Sequence, residues 1–154
     1  MAMQSSSECL KLVQACEGFR ASPYKCPAGV PTIGYGSTRY VDGRPVRLTD
    51  PPITRTQADA IMRQTLRDYE AAVNRYVLVS INQNQFDALV DFAYNAGAQN
   101  LRNSTLLKLL NSGRYAQAAN EFDKWVFAGP QRLEGLVKRR RLEKQLFLKP
   151  EPGG

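Results

Sequence analysis

The stretch 17–36 constrains this chain most, because a helical pattern stops there and an irregular segment begins. Apolar residues recur at helical spacing up to Cys16, whereas 17–36 is rich in glycine and proline. An acid, Glu17, a thiol, Cys26, and a hydroxyl, Thr32, lie among these residues. Since proline fixes φ and glycine permits tight turns, the polar groups between them are held in place. The pattern is typical of a small catalytic cleft, although a turn-rich hairpin with a surface glutamate would also produce it.

The segments around this stretch predict an α+β fold with a small antiparallel sheet. A first helix is expected at 6–16, where serines can cap its start and Gly18 can end it. Residues 18–50 are expected to form a β-lobe, with a hairpin turn at Asp42-Gly43. Its short β-prone pieces are Thr32-Ile33, Thr38 to Val41 and Val46 to Leu48. A sheet of this size is not stable alone, so we expect it to lean on helices.

A long helix at 54–77 is expected to connect the β-lobe to a mainly helical lobe at 82–148, within one domain. Thr54 and Gln57 form a capping-box pattern at the start of this helix. At more than 20 residues it would be about 30 Å long, enough to join two lobes. In the helical lobe, a helix capped by Asn82 or Asn84 is expected first, followed by helices at 104–111, 115–125 and 133–148. Residues 149–154 are expected to form a flexible tail.

The charge balance favours a polyanionic partner. Lysine and arginine total 21 against 14 acids, giving a net charge of +7 without any histidine. A basic surface of this kind suits nucleic acid, anionic membranes or an acidic wall polymer. The densest basic run, Lys138 to Arg141, is best interpreted as the solvated face of a terminal helix. Nucleic-acid binding is the weaker interpretation, because no recognised binding module accompanies the run.

The cysteines do not predict a metal site. Cys9 and Cys16 are seven residues apart on one expected helix, or about 10 Å along its axis, which exceeds the reach of a disulfide. Their spacing fails the zinc patterns, and no histidine is available to complete one. We therefore expect no metal or other cofactor, with Cys9 and Cys16 as small buried hydrophobes. A bond between Cys16 and Cys26 remains open.

The sequence predicts no stable insertion in a membrane. No stretch approaches the roughly 18 apolar residues that a membrane span needs. The N-terminus, Met1 to Glu8, is polar and serine-rich, unlike a signal peptide. We therefore expect the protein to begin in the cytoplasm.

Glu17 is placed for acid catalysis. A carboxyl at the end of a helix lies near the negative pole of the macrodipole, which favours its protonated form, although Arg20 acts in the opposite direction. Burial against Phe19 or Tyr35 would favour the protonated form further. A glutamic acid that donates its proton is what glycoside cleavage needs, because the leaving oxygen must be protonated as the bond breaks. A second group must act on the far face of the sugar, and the candidates are Cys26 and Thr32.

The order of several short motifs resembles the phage-type lysozymes, the T4- and P22-like endolysins of glycoside hydrolase family 24. That family has a Glu, eight intervening residues, an Asp, five more residues and a Thr, and Glu17, Cys26 and Thr32 occupy these spacings. The resemblance extends from about Cys9 to Phe147. Its other motifs are Thr32-Ile33-Gly34-Tyr35-Gly36, Gln85 to Val90, Tyr94 to Gly97, Ser104 to Leu107, Trp125, and Gly135-Leu136 with Arg139-Arg140.

The resemblance implies a lysozyme-like fold and a muramidase that cleaves the β-1,4 bond between N-acetylmuramic acid and N-acetylglucosamine in peptidoglycan. Glu17 would be the general acid, and Thr32 would hold water or the sugar beneath the ring. Two positions depart from the family: Cys26 stands where an Asp is usual, and Ser37 where a His is often found. The second departure removes at most a structural contact, whereas the first concerns the chemistry.

Our hypothesis is that Cys26 occupies the base position, either orienting water with Thr32 or attacking the sugar as a nucleophile. An unperturbed thiol has a pKa near 8.5, so only about 3% is thiolate at pH 7. Lys25 would raise that fraction and an ionised Glu17 would suppress it. A passive cysteine beside a one-acid site is the alternative.

The other candidate residues have structural alternatives. Tyr24 and Tyr35 are expected to stack on sugar or to pack on the sheet, and Asn95 to line the cleft or to bond a helix end. Trp125 is expected to pack in the core or between the lobes. Arg139 and Arg140 could meet wall anions, but solvated helix surface is the better interpretation.

Two rival functions are kept. A lytic transglycosylase needs only one Glu, and a wall-binding module could have lost catalysis together with the Asp. For a lytic muramidase we expect a monomer that accumulates in the host cytoplasm. Such a protein would depend on a separate membrane-permeabilising partner, a holin, to reach the wall.

Overall fold

The computed structural model describes residues 2–150, which form two compact units. The hairpin unit is Val13–Asp68, and the helical unit comprises 2–12 and 69–150. The division falls within two helices, α1 at Ser7–Glu17 and α2 at Arg55–Tyr76. An α+β architecture with a small antiparallel sheet, as the sequence predicts, is confirmed.

A two-stranded antiparallel sheet forms the centre of the hairpin unit. Strand β1 is Arg20–Lys25 and strand β2 is Pro31–Gly34, with Tyr24 opposite Thr32 and Lys25 opposite Pro31. The register shifts between Arg20 and Tyr24, which is a β-bulge. Three consecutive residues of β2, Thr32 to Gly34, are buried, and buried positions recur at helical spacing on α2. The buried hydrophobic residues of this unit are Val13, Ile33, Tyr35, Val46, Ala58, Ile61, Met62 and Leu66.

The strands expected after β2 do not form. Thr38 to Val41 and Val46 to Leu48 are joined by a single bridge between Arg39 and Pro45, and β1 takes their place in the sheet. Pro45 has no N–H to extend a ladder, which limits pairing there. The turn at Asp42-Gly43 does form, with Gly43 N donating to Tyr40 O at 2.9 Å and Tyr40 N donating to Arg44 O at 2.9 Å.

Gly34 ends β2 where the chain turns sharply beside α2. Ile33 and Ser37 exchange backbone hydrogen bonds of 2.8 and 3.0 Å around this turn. Gly34 has φ 67°, and a Cβ there would lie 3.1 Å from the Cβ of Ala58. A side chain at this position would therefore be strained by its backbone and crowded by α2.

We expect Gly34→Ala to lower the free energy of unfolding by about 2–4 kcal/mol, because left-handed strain and a tight contact add. The measurement is denaturant unfolding. Gly43→Ala is the matched control, since Gly43 has φ 87° but nothing within 4 Å of an added Cβ. That control should lose only about 1–2 kcal/mol. Equal losses in the two variants would contradict the close approach to α2.

The helical unit contains the remaining helices and a second, very short hairpin. They are α3 (Gln83–Ala96), α4 (Ala98–Asn103), α5 (Thr105–Asn111), α6 (Tyr115–Glu121), a 3-10 helix (Phe122–Lys124), β3 (Phe127–Ala128), β4 (Gln131–Arg132) and α7 (Glu134–Leu148). Asn82 rather than Asn84 caps α3, through a reciprocal capping box with Gln85. Trp125 is half-buried and packs edge-on against Phe92, at 5.3 Å between ring centroids.

The expected helix at 115–125 ends earlier than the pattern suggests. α6 stops at Glu121 and continues as the 3-10 helix, and α4 and the β3–β4 hairpin were not predicted. Six residues are too few for periodicity to identify α4. The hairpin turns at Gly129, whose φ is 60°, and pairs only two residues a side.

A buried group of charges joins α3 to α7 and corrects the interpretation of the basic run. Arg139 and Arg140 are 5% and 1% exposed, so the prediction that they lie on solvated surface is wrong. Arg139 donates to both carboxylate oxygens of Asp91, at 2.9 and 2.7 Å. Arg140 Nη1 lies 3.3 Å from Glu143 Oε1, and its guanidinium lies 5.0 Å from the ring centroid of Phe92.

Two further observations concern the ends and the membrane. Asn84 donates to the carbonyl oxygens of Lys149 and Pro150, at 3.0 and 3.4 Å, whereas 151–154 of the predicted tail lie outside the described residues. In the stretch 2–150, no helix combines the length and apolar character that crossing a membrane requires.

Candidate active site

Glu17 is the last residue of α1, and hydrogen bonds at this helix end hold its backbone in place. Gly18, at φ 72°, follows it and donates from its N–H to Gln14 O at 2.9 Å, which ends the helix. Gln14 Nε2 donates to Asp59 Oδ1 at 2.7 Å and so ties the last turn of α1 to α2. The Glu17 side chain is half-buried, next to the start of β1.

Cys26 begins the loop between β1 and β2. Its N–H donates to Val30 O at 3.0 Å, and Gly29 N donates to Cys26 O at 2.8 Å. Gly29 has φ 81°, so the loop is a tight turn followed by a left-handed glycine. These bonds hold the thiol at a fixed corner of the hairpin, where it is half-exposed.

The loop also supplies hydrogen bonds to the sulfur. The Val30 N–H is the largest influence and lowers the pKa of the Cys26 thiol, burial acts in the opposite direction, and Ala28, Thr32 and Gly29 lower the pKa further. Hydrogen bonds to a charged form favour that form. The hairpin therefore stabilises a thiolate at the position where the family resemblance expects a carboxylate.

Thr32 lies behind this thiol. It is 3% exposed, and its hydroxyl donates to Val30 O at 2.8 Å. A hydroxyl has one proton, so Thr32 can donate either to this carbonyl or to the sulfur, but not to both at once. Because Thr32 is buried, it is better placed to bond the sulfur of Cys26 than to contact a substrate directly.

The phenol of Tyr24 is within electrostatic reach of both Glu17 and Cys26. Burial raises the pKa of its phenol first, and the charges of Glu17 and Cys26 raise it further. Both groups are therefore close enough to act on the same side chain, which stands opposite Thr32 in the sheet. Glu17, at the end of α1, and Cys26 and Thr32, in the hairpin that follows, thus all belong to the hairpin unit, with Tyr24 opposite Thr32.

Tyr35 and Asn95 have different surroundings. Tyr35 is 6% exposed and packs on Phe19 at 5.7 Å between ring centroids, with Arg55 4.6 Å from the ring centroid of Phe19. Burial favours the packing alternative for Tyr35. Asn95 belongs to the helical unit, where it is exposed and its side-chain oxygen accepts a hydrogen bond from Arg140.

Sequence reasoning missed two contributors to the site. The first is the set of backbone N–H groups at 28–30, for which the signal was Pro27-Ala28-Gly29, a turn sequence directly after the thiol. The second is the contact of Arg20 with Tyr24, in which the guanidinium lies 4.3 Å from the ring centroid. The sequence indicates only an effect of Arg20 on Glu17, because the β-bulge between Arg20 and Tyr24 is not visible in a sequence.

Comparison with solved structures defines the class of protein as lysozyme-like. The endolysin from Escherichia coli O157:H7 phage FAHEc1 is similar with a TM-score of 0.87 and 35% identity, covering 96% of this chain and 95% of that one. The lysozyme-like fold expected from the resemblance is confirmed.

Comparison of sequences identifies the family. The phage lysozyme family model matches residues 14–143. The endolysin of Acyrthosiphon pisum secondary endosymbiont phage 1 is 39% identical over 94% of this chain and 98% of that protein. The endolysin of Bacillus phage B103 is 40% identical over 97% of this chain, which spans only 56% of that relative's length. This chain belongs to the phage lysozyme family.

Proposed function

We propose that this chain is a muramidase that hydrolyses the β-1,4 bond between N-acetylmuramic acid and N-acetylglucosamine in peptidoglycan, for lysis of a bacterial host. The observation that carries the proposal is the placement of Glu17 at the end of α1 and of Cys26 and Thr32 in the hairpin directly after it, where Tyr24 lies opposite Thr32. Membership of the phage lysozyme family and the endolysin relatives support the same substrate. A net charge of +7 suits an anionic wall.

Glu17 is the general acid of the proposed reaction. Its proton passes to the glycosidic oxygen as the bond to the anomeric carbon breaks, so the departing sugar leaves as an alcohol. Glu17 is then a carboxylate and must regain a proton before the next turnover. Its place at the end of a capped helix gives the carboxyl a fixed position relative to the hairpin.

Cys26 is the base, acting on water with Thr32. A thiolate at this corner accepts a proton from the water whose oxygen bonds to the anomeric carbon, and becomes a thiol. The proton gained by Cys26 balances the proton lost by Glu17, and exchange with solvent restores both. Thr32 is buried, and its hydroxyl orients the sulfur of Cys26 by a hydrogen bond. Direct attack by sulfur would instead leave a sugar bonded to Cys26.

Mass spectrometry of the muropeptides released from purified peptidoglycan tests the reaction. Hydrolysis leaves reducing ends at N-acetylmuramic acid, which is the expected result. Anhydro-muramic ends would make the chain a lytic transglycosylase. Binding without any release of fragments would make it a wall-binding module.

We expect Cys26→Ser to lower kcat/KM on peptidoglycan by about 10²-fold or more, because a serine hydroxyl is not ionised at neutral pH. Cys26→Asp should retain lysis and move the acid limb of the pH profile towards the ordinary range of an aspartate, near pH 4. In the unsubstituted protein this limb should follow the thiol, whose pKa lies below its usual range. Full turnover by Cys26→Ser would contradict a role for the thiolate, and a mass increase on Cys26 during turnover would favour direct attack.

The biological setting belongs to the same proposal. We propose a monomer that stays in the host cytoplasm until a holin permeabilises the membrane, and that then acts on periplasmic peptidoglycan. Tyr24 is proposed as a sugar contact, and Asn95 as a second one through its exposed side chain. Tyr35 is buried and packs on Phe19, so its proposed role is to hold the neighbouring backbone of the site in place.

A further inference from the structure

We propose that Arg20 determines substrate specificity by binding a carboxylate on the lactyl side of N-acetylmuramic acid, next to Glu17 and Cys26. The inference rests on the proposed function, since it names the part of the same substrate that Arg20 recognises. It concerns binding, so it can be tested apart from catalysis.

Arg20 is a cation that stacks on a tyrosine and has no ion-pair partner among the residues that the structure describes. It is exposed, and its guanidinium lies 4.3 Å from the ring centroid of Tyr24. Within 2–150, no carboxylate forms an ion pair with it. Arg44 makes a useful contrast, because it also lies 4.3 Å from a tyrosine ring centroid, that of Tyr40, but pairs with Asp50 at 3.6 Å.

The location of Arg20 is set by β1. It is the first residue of that strand and lies opposite Gly34, whereas Tyr24 lies opposite Thr32. The charge of Arg20 lowers the pKa of the Tyr24 phenol, after the larger and opposite influences of burial and Glu17. The same phenol is thus within electrostatic reach of the acid, the thiol and the cation. A sugar bound at Glu17 and Cys26 would therefore meet Arg20 beside the ring of Tyr24.

The chemistry of the wall supplies a matching anion. N-acetylglucosamine is neutral, whereas N-acetylmuramic acid carries a lactyl group that ends in a carboxylate or continues into a stem peptide with acidic residues. A guanidinium binds a carboxylate through two parallel hydrogen bonds, which fixes orientation as well as adding attraction. Stacking on Tyr24 leaves the donor edges of Arg20 available for such a bond, because the ring occupies only one face of the guanidinium.

Dissociation constants measured in a Glu17→Gln background test this assignment without cleaving the ligand. Three soluble ligands are compared: a peptidoglycan fragment with stem peptides, an amidase-treated fragment with free lactyl carboxylates, and a neutral N-acetylglucosamine oligomer. We expect Arg20→Gln to weaken binding of the peptide-bearing fragment by about 10–100-fold, as for a charge-assisted hydrogen bond. Arg20→Lys should lose less, and the neutral oligomer should bind equally with and without Arg20.

The two acidic fragments distinguish the source of the carboxylate. A loss on the amidase-treated fragment alone places the carboxylate on the lactyl group, because the stem peptide of the other fragment turns that carboxyl into an amide. A loss on the peptide-bearing fragment alone places the carboxylate in the stem peptide, and a loss on both means that Arg20 binds either carboxylate. Arg44→Gln is the matched control and should change neither affinity. Unchanged binding in Arg20→Gln, or an equal loss on the neutral oligomer, would overturn the assignment. Failure of the unsubstituted protein to cleave peptidoglycan would instead refute the proposed function.

Discussion

Replacing Glu17 with glutamine should lower kcat/KM for peptidoglycan lysis by about 10²–10⁴-fold, the usual contribution of a positioned general acid. Glutamine has nearly the same shape but cannot give a proton to the leaving oxygen. The chain should keep its fold, because α1 is ended by Gly18 and tied to α2 by Gln14 and Asp59, and none of these residues is changed. The measurements are turbidity loss on purified peptidoglycan and the midpoint of thermal unfolding.

The matched control is Glu134→Gln, which removes one carboxylate of the helical unit that is 84% exposed at its side chain. This variant should lyse at the normal rate, since exposed ion pairs such as the one Glu134 makes with Arg132 contribute little. Normal lysis by Glu17→Gln would contradict the assignment of the acid. A large fall in its unfolding midpoint would show instead that Glu17 is a structural residue.

The candidate residues of the site could be identified from the sequence because they are local, and their roles stay predictions. Glu17, Cys26 and Thr32 lie within 16 consecutive positions, and one helix end and one hairpin bring them together. What the sequence could not show is how the thiol is stabilised. That depends on the direction of N–H groups in the loop at 28–30, and backbone direction is set by the turn type rather than by side-chain identity.

The hairpin illustrates why Thr32-Ile33 was correctly predicted as a strand whereas its partner strand was not. Arg20–Lys25 contains Ser22 and Pro23, so it lacks the β-branched run that identifies a strand, yet it pairs with β2. A proline is tolerated there because a two-stranded sheet consists of edge strands. Thr38 to Val41 has better strand composition but makes only an isolated bridge, because partner strands are decided by tertiary packing.

The basic run Lys138 to Arg141 shows that the sequence of one helix does not reveal which of its charged residues are buried. Lys138 and Arg141 are exposed, as expected, but Arg139 and Arg140 between them are buried. Their partners, Asp91 and Asn95, lie 48 and 45 residues earlier on α3, inside an otherwise apolar pattern. That these polar residues of α3 and α7 bond to each other becomes visible only when the two helices are in contact.

The two buried carboxyls of α3 and α7, Asp91 and Glu143, have pKa values shifted in opposite directions. Burial raises the pKa of Glu143 well above its usual range, and the hydrogen bond with Asp91 and the charge of Asp91 raise it further. Burial also opposes ionisation of Asp91, but hydrogen bonds from Glu143 and Arg139 outweigh it and lower the pKa of Asp91. Of the two carboxyls, Glu143 therefore favours its protonated form and Asp91 its ionised form.

Removing Asp91 should consequently be among the most destabilising single changes in this chain. We expect Asp91→Asn to lower the free energy of unfolding by about 3–5 kcal/mol, because it leaves the guanidinium of Arg139 buried without its counter-charge. Denaturant unfolding at pH 7 measures the loss, and Arg132→Ala, which breaks an exposed pair, is the control at below about 1 kcal/mol. The double variant Asp91→Leu with Arg139→Met should recover much of the stability, since it removes both charges and keeps apolar volume. A loss in Asp91→Asn no larger than in Arg132→Ala would mean that the pair is hydrated in solution and does not hold α3 to α7.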